Sequence, residues 1–410
     1  MPNSDRDATT PHDVLIIGGG LVGASLAIAL DSLGLDVALV EATPAGALPA
    51  VFDQRNLSFA EATVNALGAL GVLPLLRAPT GSIRRIHASR AGDFGRVRLD
   101  AAAHGREEFG RVVVARDFGE ALEARLGQLR HITRYRPARF IGLSGHGDGL
   151  RRVRITDAEG ERELATRLLV AADGARSGVR EALGIHAREH DYGQSLLVAR
   201  LRTQRPPDGT AYERLTAHGP TALLPRGDGH YGLVHGVASE QADAVAAMDD
   251  AAFLARVQEA FGWRAGRFFA VGPRSVYPIS GCVADALTAP RAVLVGNAAQ
   301  TLHPLGAQGF NLGLRDALTL AECIAAHPGD AGDASVLRSH ATRRAEDRSR
   351  TLAFSDGLAK LTSNDASLLR PLRSLGLLAG DAMGWLQGWL VGGAMGYRGD
   401  VPLLCRGVAA

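Results

Sequence analysis

The stretch Val14-Leu15-Ile16-Ile17-Gly18-Gly19-Gly20-Leu21-Val22-Gly23 sets an apolar, β-branched run against a glycine cluster and a helical pattern. Residues 14–17 read as the central parallel strand of a doubly wound sheet, buried on both faces. Residues 21–33 space their apolar side chains as a helix does, and Gly34 offers a C-cap. Residues 36–40 follow as a second strand, closing on Glu41. Gly18, Gly20 and Gly23 fall where a tight turn, close pyrophosphate approach and close helix packing leave no room for a side chain. The helix start turns free amides and a positive dipole end towards phosphate. Glu41, about 20 residues past the glycines, is placed to accept hydrogen bonds from an adenosine ribose. An acid there repels a 2′-phosphate, so the pattern favours FAD or NAD over NADP. A chance glycine turn is the bland alternative, and the flanking strands with Glu41 weigh against it.

Two later segments repeat the theme. Leu169-Val170-Ala171-Ala172-Asp173-Gly174-Ala175-Arg176-Ser177 puts Asp-Gly after an apolar strand, which taken alone is an ordinary turn. Val293-Leu294-Val295-Gly296-Asn297-Ala298-Ala299-Gln300-Thr301-Leu302-His303-Pro304 runs on to Gly306, Gly309, Asn311, Leu312 and Gly313. There a strand ends in a glycine-rich loop that leads into a helix expected over 312–326. Its first amides, around Asn311 to Gly313, could face a developing anion.

Bulk properties narrow the class. A chain of 410 residues exceeds the length at which one core usually divides. Hydrophobic residues make up 46% and charged residues 21%, an ordinary globular mix. The net charge of +2 gives no field for nucleic acid. Cys282, Cys323 and Cys405 are odd in number and lack metal-ligand spacing, so no metal site is expected and a reducing cytoplasm fits. The polar leader, residues 1–12, carries no secretory pattern. Helices are expected over 60–70, 118–129 and 249–261, and strands over 83–99 and 111–114. Residues 195–237 alternate apolar and polar between Gly/Pro breaks, as an antiparallel sheet does.

The three glycine segments together resemble the FAD-dependent aromatic hydroxylases. Gly-Asn-Ala-Ala-Gln-Thr-Leu-His-Pro (296–304) with Gln308-Gly309-Phe310-Asn311-Leu312-Gly313 is similar to the ubiquinone-biosynthesis branch. Phe52-Asp53-Gln54-Arg55 and Glu213-Arg214-Leu215-Thr216-Ala217-His218-Gly219-Pro220 support it. The likeness weakens past about residue 350. It departs at Gly306-Ala307, where the family order is Ala-Gly, and at Asn297, where the wider family carries an aspartate on the ribityl chain.

The resemblance implies an α/β fold: a Rossmann-like FAD-binding domain of hydroxylase type, an antiparallel-sheet substrate domain and a helical C-terminal tail. Cofactor segments are expected at 1–80, 111–187 and 285–350, with substrate-side strands at 81–110. The substrate domain is expected at 188–284 and the tail at 351–410. It implies non-covalent FAD held by Gly18, Gly20, Gly23, Glu41, Arg55, Arg116, Asp173, Gly174, Asn297, Gly306, Gly309, Asn311 and Leu312. Arg55, His303 and Pro304 are the residues it places by the reacting edge. For Arg55 and Arg116 a solvated charge is the alternative, and for His303 a packing role. NADH or NADPH would serve as donor and dioxygen as co-substrate, through a flavin C4a-hydroperoxide, with a prenylated phenol as substrate. A ubiquinone-biosynthesis protein complex is a further implied partner. Residues 368–395 are rich in Leu, Gly and Ala, with Trp385 and Trp389 four apart. They suit peripheral contact with the inner membrane, or a helix packed on the core. Arg370, Arg373 and Asp381 rule out a spanning helix. A sister hydroxylase for another ring position, a prenyl reductase and a non-catalytic flavoprotein scaffold stay open.

Overall fold

The computed structural model describes residues 10–363 and 370–407. Most of the polar leader and part of the 368–395 tail stretch lie outside the described residues. His12–Ile17 stands at the centre of a parallel sheet, between Val37–Val40 on one side and Gly160–Ala171 on the other. Ile132–Tyr135 and Ala292–Leu294 extend it outward, both parallel. Val14, Leu15 and Ile16 are fully buried, as a strand covered on both faces requires. The helices Leu21–Asp31, Ala115–Leu126 and Gln308–Ala325 supply most of the cover on one face. The antiparallel ribbon Arg139–Gly147, Leu150–Asp157 and Gly160–Ala171 covers the other.

A second sheet of nine strands carries the long Ala187–Thr203 strand beside Ser275–Ala284 and Tyr231–Ala238. Gly219–Pro225 and Thr210–Thr216 continue it antiparallel. Arg85–Arg90 then joins Thr210–Thr216 in parallel, bringing Arg96–Asp100 with it. The sheet is therefore mixed at that edge, where alternation alone reads as antiparallel. Gln300–Thr301, from the third glycine segment, pairs with Ser275–Ala284 and ties the two sheets together.

Several expected boundaries move. The stretch expected as one strand region at 83–99 is three strands, Gly81–Ile83, Arg85–Arg90 and Arg96–Asp100. The helix expected from 118 begins at Ala115, because Val114 already has the extended backbone of an N-cap. Arg116 consequently lies inside the first turn rather than ahead of it. The helix expected from 312 begins at Gln308. Its free amides therefore belong to Gln308, Gly309 and Phe310, with Asn311 already past them. The tail folds as Arg370–Ala382 and Gly384–Ala394.

A buried charge network fastens Gln308–Ala325 to the long helix Ala334–Ser363. Asp347 accepts from Arg315 Nε and Arg344 Nη2, each at 2.6 Å, and Thr351 donates to it at 3.2 Å. Arg344 Nε also reaches Asp316 at 2.7 Å, and Gln300 donates to Asp316 at 2.6 Å. Burial alone would raise the Asp347 carboxyl, but the two guanidiniums outweigh it and hold it below the usual range. Removing one member leaves the others charged and dry. Asp347→Ala should cost about 3–5 kcal/mol of unfolding free energy at neutral pH, measured by urea denaturation. A carboxyl depressed in the fold stabilises fully above the ordinary carboxylate range and loses that effect as pH falls through its folded value. The difference between wild type and variant should therefore shrink in acid.

Candidate active site

One cavity of about 680 Å³ runs from the first glycine turn to the face of the second sheet. Gly18, Gly20, Glu41, Arg55, Asp173, Gly174, Asn297, Pro304, Gly306 and Gly309 all line it. Residues more than 250 positions apart are thereby gathered on one wall.

The first turn is shaped by backbone contact. Gly18 has φ +107°, and a Cβ on it would meet Ala172 O at 2.5 Å. A Cβ on Gly23 would lie 1.9 Å from Gly18 O, so the helix closes on the strand only without a side chain. Gly23 thus supports the turn from behind and is not on the cavity wall. At Gly20 the nearest atom to a built Cβ is Val51 Cγ1, at 3.8 Å, so this glycine opens onto space. Glu41 accepts the Gly19 amide at 2.8 Å and the Thr43 amide at 2.7 Å, which fixes its carboxylate at the rim.

The second turn is built by Asp173, which accepts Ser177 Oγ at 2.6 Å and the Val179 amide at 3.1 Å. Burial pushes its carboxyl up, and these bonds hold it back. Arg180 joins this turn to the third segment by donating to Ala175 O and Ala298 O, both at 3.0 Å. Asn297 is exposed, and among the described residues its own side-chain amide makes no hydrogen bond, while Thr301 Oγ1 donates to its carbonyl at 3.5 Å.

Arg55 is held by its neighbours. Its Nε donates to Asp53 at 3.0 Å, and the guanidinium lies 4.5 Å above the Tyr277 ring. Tyr277 Oη donates to Asp53 at 2.7 Å, closing a three-residue cluster between the loop that carries Asp53 and Arg55 and the second sheet. Tyr277 was not legible as a site residue, because no local pattern distinguishes it from other strand aromatics.

Four other residues stand off the wall. Arg116 is exposed, its amide bonded to Asp53 O at 2.8 Å. His303 is 2% exposed, and its ring stacks edge-on against Tyr192 at 4.7 Å. Burial lowers its pKa to about 4, so it is neutral at physiological pH. Its Nδ1 accepts the Leu305 amide at 3.3 Å, which shapes the turn ahead of Gly306. Asn311 is buried and spends its side chain internally. It accepts from the Ala60 amide and Thr63 Oγ1 and donates to Ser58 O and Ala307 O, all within 3.0 Å. Leu312 is fully buried. Gly306 and Ala307 both take left-handed backbone, φ +71° and +50°. The inverted Gly-Ala order therefore puts a Cβ where glycine would be free, at about 1–2 kcal/mol.

The wall fits a dinucleotide flavin. Built Cβ atoms on Gly174 and Gly309 meet nothing within 4 Å, so both leave backbone open to a ligand. The amides of Gln308, Gly309 and Phe310 begin an 18-residue helix at the same loop.

A family profile described as FAD binding domain matches residues 11–355. The ubiquinone hydroxylase UbiL of Rhodospirillum rubrum is 35% identical over 403 residues, covering 97% of this chain and 93% of that relative. The chain belongs to the FAD-dependent ubiquinone hydroxylases. Another member, the 3-demethoxyubiquinol 3-hydroxylase of Escherichia coli, is 29% identical over 92% of this chain and 96% of its own length. The crystal structure of p-nitrophenol 4-monooxygenase PnpA from Pseudomonas putida DLL-E4 shares the fold, with a TM-score of 0.74. It is 18% identical and covers 95% of this chain and 98% of its own.

In this hydroxylase Asn297 brings an exposed polar side chain to the cavity wall. Asn297→Ala should weaken FAD binding about tenfold, the loss of a hydrogen bond, with an unchanged apo melting temperature. Gly23→Ala should instead lower that melting temperature, since its methyl has no space. Flavin fluorescence titration and thermal melts read the two effects apart.

Proposed function

We propose that this FAD-dependent hydroxylase inserts one oxygen atom of dioxygen into the ring of a prenylated phenol, with NADH or NADPH as reductant. The substrate type is 2-octaprenyl-6-methoxyphenol. The observation that carries the reading is a cavity whose one wall is glycine backbone and whose other is apolar sheet. Leu196, Val198, Ala222, Leu224, Val234 and Ile279 form the second wall, as a hydrocarbon-bearing ring requires.

Gly18, Gly20, Glu41, Asp173, Gly174 and Asn297 are the residues that would hold the dinucleotide. Gly306, Gly309 and the helix amides behind them would face the isoalloxazine. When bound, FAD supplies hydride acceptance and oxygen activation. The protein's own task is to orient the phenol and keep water out. The Arg55–Asp53–Tyr277 cluster ties the loop ahead of Asn56 to the second sheet at the cavity edge. Buried, neutral His303 contributes by shaping the Pro304–Gly306 turn.

The tail supports access for a lipid. Among the described residues no helix is long and apolar enough to cross a membrane. Yet Trp385, Leu375 and Trp389 are 74%, 58% and 47% exposed. The opposite side of the same helices packs inward, through Val391 and Met395. Their cluster includes Ile83 and Ala211, which also line the cavity. A peripheral contact with the membrane surface would thus sit one layer from the substrate site. The likeness to the Escherichia coli 3-hydroxylase favours, as a second reading, attack at another ring position.

Purified protein should be yellow, and a prenylated phenol should stimulate NAD(P)H consumption and gain one oxygen atom by mass spectrometry. Stimulated oxidation without oxygen incorporation would reject the hydroxylase reading. In a deletion strain, accumulation of 2-polyprenyl-6-methoxyphenol supports the stated ring position; a later demethoxy intermediate assigns the other. Replacing Leu375 and Trp385 together by serine should reduce co-sedimentation with phospholipid vesicles, while activity on a short-chain phenol in solution stays level.

A further inference from the structure

Glu213 lies mid-strand in Thr210–Thr216, on the same face as Ala211 and Leu215. Its cross-strand partners are Ala88 and Ala222, whose small side chains leave its carboxyl room. It lines the cavity, as Gly306 does on the glycine wall. A carboxyl from the substrate sheet therefore shares the cavity with the loop expected at the reacting edge of the flavin.

Among the described residues no charged side chain balances it. Burial pushes its carboxyl up, and the Gly306 backbone alone opposes that. Its sequence neighbours turn elsewhere: Arg214 Nε donates to Ala260 O at 3.1 Å, and Tyr212 stacks on Phe261 at 5.6 Å. His87, on the adjoining strand, packs against Tyr212. On the helix behind, Asp356 and Lys360 pair with each other at 2.7 Å. An isolated acid among Leu196, Val198, Ala222 and Ile279 is costly unless it meets a polar group on a ligand.

We propose that Glu213 accepts the proton of the substrate's phenolic hydroxyl and so activates the ring for oxygen transfer. This rests on the phenol hydroxylation proposed above. The phenol O–H bond breaks, its proton passes to a Glu213 oxygen, and the freed electron pair enters the ring as the new C–O bond forms and the O–O bond of the reduced dioxygen breaks. The attacked carbon then loses its hydrogen as a proton, aromaticity returns, and Glu213 hands its proton back to the ring oxygen. NAD(P)H supplies the two electrons that reduce the second oxygen atom to water, so Glu213 ends each turnover unchanged. An ordinary glutamate, near about 4.3, is a poor base for a phenol near about 10. A carboxyl raised by burial narrows that gap, the matching that proton transfer requires.

The test compares wild type with Glu213→Gln, which keeps the shape and an acceptor oxygen but cannot take a proton. Wild-type oxygen incorporation is measured first; its absence would reject the parent reading and not this one. Given a working wild type, the variant should bind FAD normally and lose about 10²-fold in hydroxylation rate. The deficit should shrink as ring fluorination lowers the phenol's own pKa, because an ionised substrate needs no base. With FAD bound and NAD(P)H left out, the ultraviolet phenolate band of bound phenol should shift its pH dependence in the variant. Glu213→Asp, one methylene shorter but still basic, should recover part of the rate. Equal deficits across all phenols, or an unshifted phenolate band, would overturn the proposal.

Discussion

Backbone meets backbone at four glycines, and the cofactor wall depends on that approach. Gly23 lies so near Gly18 O that a Cβ would fall at 1.9 Å, and a Cβ on Gly18 would fall 2.5 Å from Ala172 O. A Cβ on Gly313 would fall 3.0 Å from Gly296 Cα, and both glycines also press on the Val22 side chain at 2.9 Å. The first, second and third glycine segments thus close on one another in a small volume. A single methyl at these contacts would push a strand and a helix apart, and the amides would no longer converge on phosphate and ring.

Behind the wall, rigidity comes from charge and in front of it from hydrocarbon. The Arg315, Arg344, Asp316 and Asp347 network fixes the helix that begins at Gln308. That helix start and the turn before it carry the residues nearest the expected flavin ring. Across the cavity the mixed sheet offers almost wholly apolar side chains, broken by few polar groups. In such surroundings one polar group orients a ligand strongly, because water does not compete with it.

Much of this was legible in local text. The strand, glycine turn, helix and Glu41 form a compact unit whose parts lie within thirty residues, so spacing alone conveys their geometry. Asp173-Gly174 and Gly296-Asn297 were also readable, as turns after apolar strands. Roles set by long-range contact were not. Asn311 reads as a cofactor residue by motif, yet its hydrogen bonds run to Ser58, Ala60, Thr63 and Ala307. The parallel pairing of Arg85–Arg90 with Thr210–Thr216 joins segments more than a hundred residues apart, beyond any alternation pattern.

The sequence by itself determined the family, the nucleotide unit and the layered α/β plan, because glycine placement and apolar period are local properties. Only the tertiary structure decided which polar side chains face the cavity and which face one another. Tyr277 gained its place through Asp53 and Arg55, and Glu213 through the cavity it shares with Gly306, both set by packing between distant segments. A residue's chemistry at a site depends on its neighbours in space, and those follow from the closure of the whole chain.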